Sequence, residues 1–233
     1  DLEMKNKTLL SFELFPPKTE KGLQNLPGTI DHLMKYNPSY ISCTYGAGGG
    51  NVGANREVCQ MIKNAGTTPV THFPVIKNTK EGIKEQLDQY LADGVDHMLA
   101  LRGDIPLGET TTCGDFDYAT DLVKFVRDTY GDKFEIAVAG SPEGHISCRS
   151  LESDIAVLKQ KQDNGADYIM TQLCWDMEQF KYWLDAIRKA GITMPVDVGV
   201  MPILDQAATI NMALSRNGCV MDRELSRMIS RHW

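Results

Sequence analysis

The chain has 233 residues, enough for one sizeable domain and few for two, with an ordinary globular balance of 42% hydrophobic and 24% charged residues. Thirty-one acidic against 24 basic side chains give a formal net charge of -7, which argues against nucleic acid or an anionic membrane as main partner while leaving room for a local phosphate site. No apolar run is long enough to span a bilayer, no signal-peptide pattern opens the chain, and the six cysteines are scattered without a CxxC pair. The expectation is a cytoplasmic protein with reduced thiols.

Apolar, β-rich runs are predicted as strands at Leu9–Phe15, Tyr40–Tyr45, Thr68–Val75, His97–Leu101, Glu135–Ala139, Tyr168–Trp175 and Val196–Ile203. Between them lie stretches of helical period: Leu23–Tyr36, Ala54–Asn64, Thr79–Ala92, Phe116–Tyr130, Ser150–Asn164, Met177–Ala190 and Asp205–Arg216, with a further helix over Arg223–Arg231. Glycines 66, 94, 131, 165 and 191 stand just past helix ends, where a left-handed backbone is needed. Asp176 with Gln179 three residues on has the spacing of a capping box. Strictly alternating strands and helices imply parallel pairing with right-handed crossovers. Seven units of even rhythm favour a (β/α)8 TIM barrel over an open doubly wound sheet. An eighth strand is due where the sequence ends and is expected to be missing from it; residues 1–233 read as a single domain.

In such a barrel, chemistry sits at the carboxyl ends of the strands. Those positions hold Glu13, Thr44, His72, Arg102-Gly103-Asp104, Ser141-Pro142-Glu143-Gly144-His145, Gln172 and Met201-Pro202. Glu13 stands out, because a carboxylate inside the run ended by Pro16-Pro17 is costly unless paired, protonated or facing a cavity. It reads either as a partner-satisfied strand residue or as a general acid whose pKa is raised by apolar neighbours. Arg102 and Asp104 read either as a local ion pair or as separate binding groups. Gly48–Gly53 fits GxGxxG, yet the acidic residue a dinucleotide fold needs at the end of the next strand is missing, where the sequence reads Val70-Thr71-His72-Phe73. The histidines form no metal motif; His32 and His232 read as solvated helix residues, and Trp175, Phe180, Tyr182 and Trp183 mostly as helix packing, with Trp175 a candidate for the mouth.

Six segments carry a resemblance: Ser11-Phe12-Glu13-Leu14-Phe15-Pro16-Pro17-Lys18-Thr19, Thr44-Tyr45-Gly46-Ala47, Ala100-Leu101-Arg102-Gly103-Asp104, Pro142-Glu143-Gly144-His145, Thr171-Gln172 and Gly199-Val200-Met201-Pro202. In order and spacing the chain resembles the methylenetetrahydrofolate reductases over nearly its whole length. The resemblance implies a barrel that binds FAD non-covalently and reduces 5,10-methylenetetrahydrofolate to 5-methyltetrahydrofolate. Glu13 then matches the family's general acid, which protonates folate N10 so that the five-membered ring opens to a 5-iminium cation. Asp104 matches the aspartate near flavin and pterin, and Gln172 the pterin-binding glutamine, so that Glu13, Asp104 and Gln172 form the substrate set. Thr44, His72, Leu101, Arg102, Gly103, Asp104, His145, Asp154 and Lys161 match FAD contacts. The chain departs from the family at Ser141, Gln160, Leu173-Cys174-Trp175 and Met212, which bears on whether electrons come from NADH, NADPH or a partner redox protein. The resemblance leaves two settings, a homo-oligomeric enzyme or a subunit of a redox complex; the alternative function is a non-catalytic flavin- or folate-binding barrel subunit of an electron-transfer assembly.

Overall fold

The computed structural model describes residues 8–45, 52–105, 108–145, 148–214, 220–221 and 223–232. The GxGxxG loop around Gly48–Asn51, the Gly46-Ala47 pair and the His232 side chain lie outside the described residues. The chain divides into two compact units, Asp1–Ile136 and Ala137–Trp233.

In the first unit four strands, β1 (Ser11–Leu14), β2 (Tyr40–Cys43), β3 (Thr68–Pro74) and β4 (His97–Leu101), pair in parallel in chain order. They alternate with helices α1 (Glu20–Met34), α2 (Val52–Asn64) and α3 (Lys80–Ala92), and α4 (Ala119–Tyr130) follows β4. In the second unit β5 (Glu135–Gly140, whose first two residues fall in the first unit), β6 (Tyr168–Thr171) and β7 (Val196–Asp197) pair in parallel, with α5 (Leu151–Asp163), α6 (Met177–Lys189), α7 (Gln206–Leu214) and α8 (Arg223–His232). All seven predicted strands and all eight predicted helices are present, and no eighth strand occurs among the described residues.

Local chemistry explains the boundaries that moved. Helix α1 begins three residues before the predicted Leu23, because the Thr19 hydroxyl accepts from the Gly22 amide at 3.1 Å and caps it. Ser150 and Thr79 cap α5 and α3 in the same way. Strand β6 stops at Thr171 rather than Trp175: the Gly199 amide donates to the Thr171 hydroxyl at 2.9 Å, and the Leu173 amide donates to the side chain of Gln172 at 3.0 Å. Side chains there take bonds that a ladder would need. Asp176 caps α6 by accepting from the Glu178 and Gln179 amides. The Gln179 side chain does not return to the cap as a capping box requires; it donates to the Pro142 carbonyl at 2.7 Å and ties the loop after β5 to α6. The five predicted helix-ending glycines all have positive φ, between 58° and 106°.

Alternation along the strands sorts the first unit into two faces. Phe73 meets Tyr90 of α3 edge-on at 6.2 Å, Thr71 donates to Asn55 of α2, and Ile41, Cys43, Met98 and Ala100 are fully buried, so these odd and even positions mark the helix-covered face. Asn55 is the hub of that layer. Its amide donates to the Cys43 and Thr44 carbonyls, both at 3.0 Å, and accepts from the Thr71 hydroxyl at 2.8 Å and the Tyr90 hydroxyl at 2.7 Å. Burial pushes the Tyr90 pKa up, so that hydroxyl stays a donor. Replacing Asn55 by Asp removes both N–H donors and leaves two buried carbonyls facing a carboxylate; it is expected to cost about 2–4 kcal/mol, seen as a lower urea midpoint with an unchanged slope.

Candidate active site

The opposite face of the first sheet carries the predicted chemistry. Glu13, Ser42 and Val70 are register partners across β1, β2 and β3, and His72, in register with Leu99, lies two residues beyond Val70 on the same face. Thr44 follows Ser42 by two and continues the pairing, its amide donating to the Leu14 carbonyl at 2.9 Å. Two of the polar atoms on this face are buried without a hydrogen-bond partner: Thr44 Oγ1 and His72 Nε2. Such atoms are costly in a finished core and ordinary in a site that takes a ligand.

Glu13 and His72 are the central pair. His72 Nε2 lies 3.5 Å from Glu13 Oε2 and makes no hydrogen bond with it. Solvent reaches half of the Glu13 side chain, yet the protein atoms around its carboxyl still push its pKa up through desolvation. His72 is buried, and desolvation lowers its pKa to about 4, so the ring is neutral near pH 7. The contact is therefore not a conventional ion pair. On the other face of β2, the neighbouring Cys59 thiol and burial push the Cys43 pKa up.

After β4 the backbone turns at Gly103, whose φ of 87° and whose approach to Ile76 leave no room for a side chain: a Cβ there would lie 2.7 Å from Ile76 Cγ2. The turn is held by the Val75 and Ile76 amides, which donate to the Leu101 and Arg102 carbonyls at 3.0 and 3.1 Å. Arg102 is half-buried and Asp104 exposed, and among the described residues neither joins an ion pair. That removes the local-pair reading and leaves both as separate groups.

In the second unit the residues after β5 and along α5 converge. Asp154 accepts from the His145 amide at 3.3 Å and from the Cys148 thiol at 3.5 Å, pinning the loop that carries His145. Lys161 donates to the Ala139 carbonyl at 3.2 Å; desolvation lowers its pKa, with Asp154 and Cys148 acting against that. Among the described residues one of its three N–H donors is used. Gln172 continues the β5–β6 ladder, its amide donating to Gly140 O at 2.8 Å, and alternation puts it on the face opposite Trp183, which packs at Gly140. Trp183 and Phe180 are buried as helix packing, Tyr182 is exposed, and Trp175 keeps its buried Nε1 donor unpartnered. Among the described residues no group of three His, Cys, Asp or Glu side chains could hold a metal ion.

A sequence profile described as methylenetetrahydrofolate reductase matches residues 1–225. The chain belongs to the methylenetetrahydrofolate reductase family. Methylenetetrahydrofolate reductase (NADH) 1 of Arabidopsis thaliana is 37% identical over 220 residues, covering 89% of this chain and 37% of its own length. The 5,10-methylenetetrahydrofolate reductase of Escherichia coli is 33% identical over 202 residues, covering 86% of this chain and 67% of its own. The chain thus spans 37% of the length of the plant reductase. Among solved structures, a Clostridium thermocellum protein that binds two copies of 5-methyl-5,6,7,8-tetrahydrofolic acid superposes with a TM-score of 0.61 at 12% identity, over 97% of this chain and 94% of that one. Phosphonopyruvate hydrolase, solved with oxalate and magnesium, gives 0.59 at 11% identity, over 98% and 80%. At such identities the likeness shows the fold alone, and it is of the TIM-barrel class.

For this member of the reductase family, sequence reasoning missed Asn55, the Asp154 clamp and the Gln179 tether. A signal existed for Asn55 alone: it shares the apolar spacing of Val58, Cys59 and Ile62 on α2, where a polar residue must find buried partners. The other two are contacts made at a distance along the chain.

The depressed His72 pKa has a consequence for stability. The unfolded chain takes up that proton near 6.5 and the folded chain only near 4, so the unfolded state binds more protons in between and stability falls as pH drops through that window. The loss is expected to reach about 3 kcal/mol below pH 4. Because ionisation of Glu13 acts with the opposite sign, chemical denaturation from pH 7 to 4 is best compared between Glu13→Gln and Glu13→Gln/His72→Gln; the double variant is expected to lose this part of the slope.

Proposed function

We propose that the chain catalyses reduction of 5,10-methylenetetrahydrofolate to 5-methyltetrahydrofolate, with residues 1–233 serving as one catalytic domain in the cytoplasm. Family membership supports the reaction class. The observation that carries the chemistry is Glu13, a carboxyl with raised pKa on the sheet face opposite α2 and α3, where among the described residues no Lys or Arg pairs with it.

FAD fits the residues present. Thr44 Oγ1 is unpartnered and buried, the Leu101–Gly103 turn is packed so tightly that only glycine fits, and Lys161 has donors to spare for a phosphate. Thr44, His72, Leu101, Arg102, Gly103, Asp104, His145, Asp154 and Lys161 would hold the cofactor, Asp154 chiefly by fixing the His145 loop. When bound, FAD supplies the hydride chemistry. Glu13, its pKa raised by desolvation, delivers its proton to folate N10; that nitrogen becomes a leaving group, the ring opens, and a cationic carbon–nitrogen double bond is ready for hydride. Asp104, exposed and unpaired, provides a negative charge that favours this cation. Gln172 can both donate to and accept from the pterin edge. The electron donor is NADH, NADPH or a partner redox protein, and the chain works as a homo-oligomer or within a redox complex.

Purified protein is expected to be yellow, to bleach under a reductant and to be reoxidised by methylenetetrahydrofolate. Glu13→Gln is expected to keep the colour and to lower folate-dependent reoxidation by at least about 10²-fold. Full turnover in that variant removes the general-acid role; flavin binding without reoxidation by folate in the unmodified protein replaces the enzyme by a carrier subunit. Lys161→Met is expected to weaken flavin binding about tenfold in a fluorescence titration, as loss of a charge-assisted bond predicts.

A further inference from the structure

We infer that His72 is the positioning residue of Glu13: its bare ring nitrogen Nε2 receives the Glu13 carboxylic O–H and keeps the proton on that carboxyl until a ligand nitrogen takes it. The inference rests on the function proposed above for the identity of that nitrogen, and on the geometry of this chain for the rest.

The two groups have complementary needs. A neutral imidazole has one N–H and one lone pair, and His72 Nε2 is buried with no hydrogen-bond partner. A protonated carboxyl has one O–H that requires an acceptor. Glu13 Oε2 stands 3.5 Å from that nitrogen, so a carboxyl rotation that closes roughly 0.7 Å makes a normal bond. The reverse arrangement, an imidazolium facing a carboxylate, would put a charge on a ring that desolvation holds neutral. Among the described residues the ionisable groups on neighbouring elements supply no competing partner: the Cys43 thiol belongs to the opposite, helix-covered face of β2, and Arg102 and Asp104, past the end of β4, join no ion pair. The proton balance is simple. The Glu13 O–H bond breaks as the bond from hydrogen to the ligand nitrogen forms, and the electron pair stays on the carboxylate. That carboxylate then faces a nitrogen lone pair, which disfavours it, and it takes a proton back from solvent, which reaches half of the side chain. His72 thus acts through Glu13 and never carries the proton itself.

The decisive measurement is the Glu13 ionisation midpoint, read by carbon-13 NMR on glutamate-labelled protein, its signal assigned by its disappearance in Glu13→Gln. His72→Gln removes the bare nitrogen and can turn an amide N–H toward the carboxylate, so the Glu13 midpoint is expected to fall by one pH unit or more, about tenfold less acid form at a given pH above both midpoints. The pH at which folate-dependent reoxidation declines is expected to shift down with it. An unmoved midpoint overturns the role, whether or not the chain reduces folate. Should His72→Gln fail to fold, nitrogen-15 spectra of the unmodified protein decide: the His72 ring is expected to be the tautomer protonated on Nδ1, with an Nε2 signal that follows the Glu13 midpoint and stops doing so in Glu13→Gln. An Nε2 that carries hydrogen, or that ignores Glu13, overturns it equally. Folate turnover that survives in Glu13→Gln would instead remove the general-acid role, and absent turnover in the unmodified protein would sink the function, each leaving the NMR result standing.

Discussion

A strand in a parallel sheet has two faces, and in the first unit helices α2 and α3 cover one of them. Apolar side chains at Ile41, Cys43, Phe73, Met98 and Ala100 are committed to that side, together with the Asn55 hub that takes up the Thr71 and Tyr90 hydroxyls. Every second residue is left for the other side, and there the chain places Glu13, Ser42, Thr44, Val70, His72, Leu99 and Leu101. Strand alternation therefore collects the ionisable groups as a consequence of burying the apolar ones.

Packing then decides what those groups can do. Glu13 and His72 are brought within 3.5 Å, and the same loss of water pushes their pKa values in opposite directions, toward the neutral form of each. Two groups that would pair as ions in water meet here as a neutral ring and a carboxyl pushed toward its acid form. Proton delivery needs that combination, whereas an ion pair would serve stability and hold the acid ionised. In the second unit desolvation lowers the Lys161 pKa, with Asp154 opposing it.

The hub at Asn55 links fold to site through the backbone. By holding the Cys43 and Thr44 carbonyls from the helix side, it sets the end of β2 so that Thr44 emerges on the opposite face with an unpartnered hydroxyl. Gly103 does comparable work at the end of β4, where φ is positive and a Cβ would lie 2.7 Å from Ile76 Cγ2, which excludes any side chain. Both are cases in which a residue outside the chemistry determines where chemistry-bearing atoms stand.

Periodicity made the elements legible: alternating strands and helices, their order and the glycines that end them follow from apolar spacing and turn chemistry, which are local properties. The strand-end residues were legible too, because a carboxylate or histidine inside an apolar run is anomalous before any coordinates exist. Boundaries that depend on side chains capturing backbone groups, such as the early end of β6 at Thr171, were not, since Gly199 lies far along the chain from the hydroxyl it meets. Composition and spacing by themselves determined an α/β chain with a polar constellation after its strands. Only the tertiary structure decided that Glu13 faces a neutral His72 rather than a cation, that Arg102 and Asp104 stand apart, and that Asp154 clamps the His145 loop. Distances between residues remote in sequence, and the water excluded around them, set those outcomes, and neither is encoded in any local stretch.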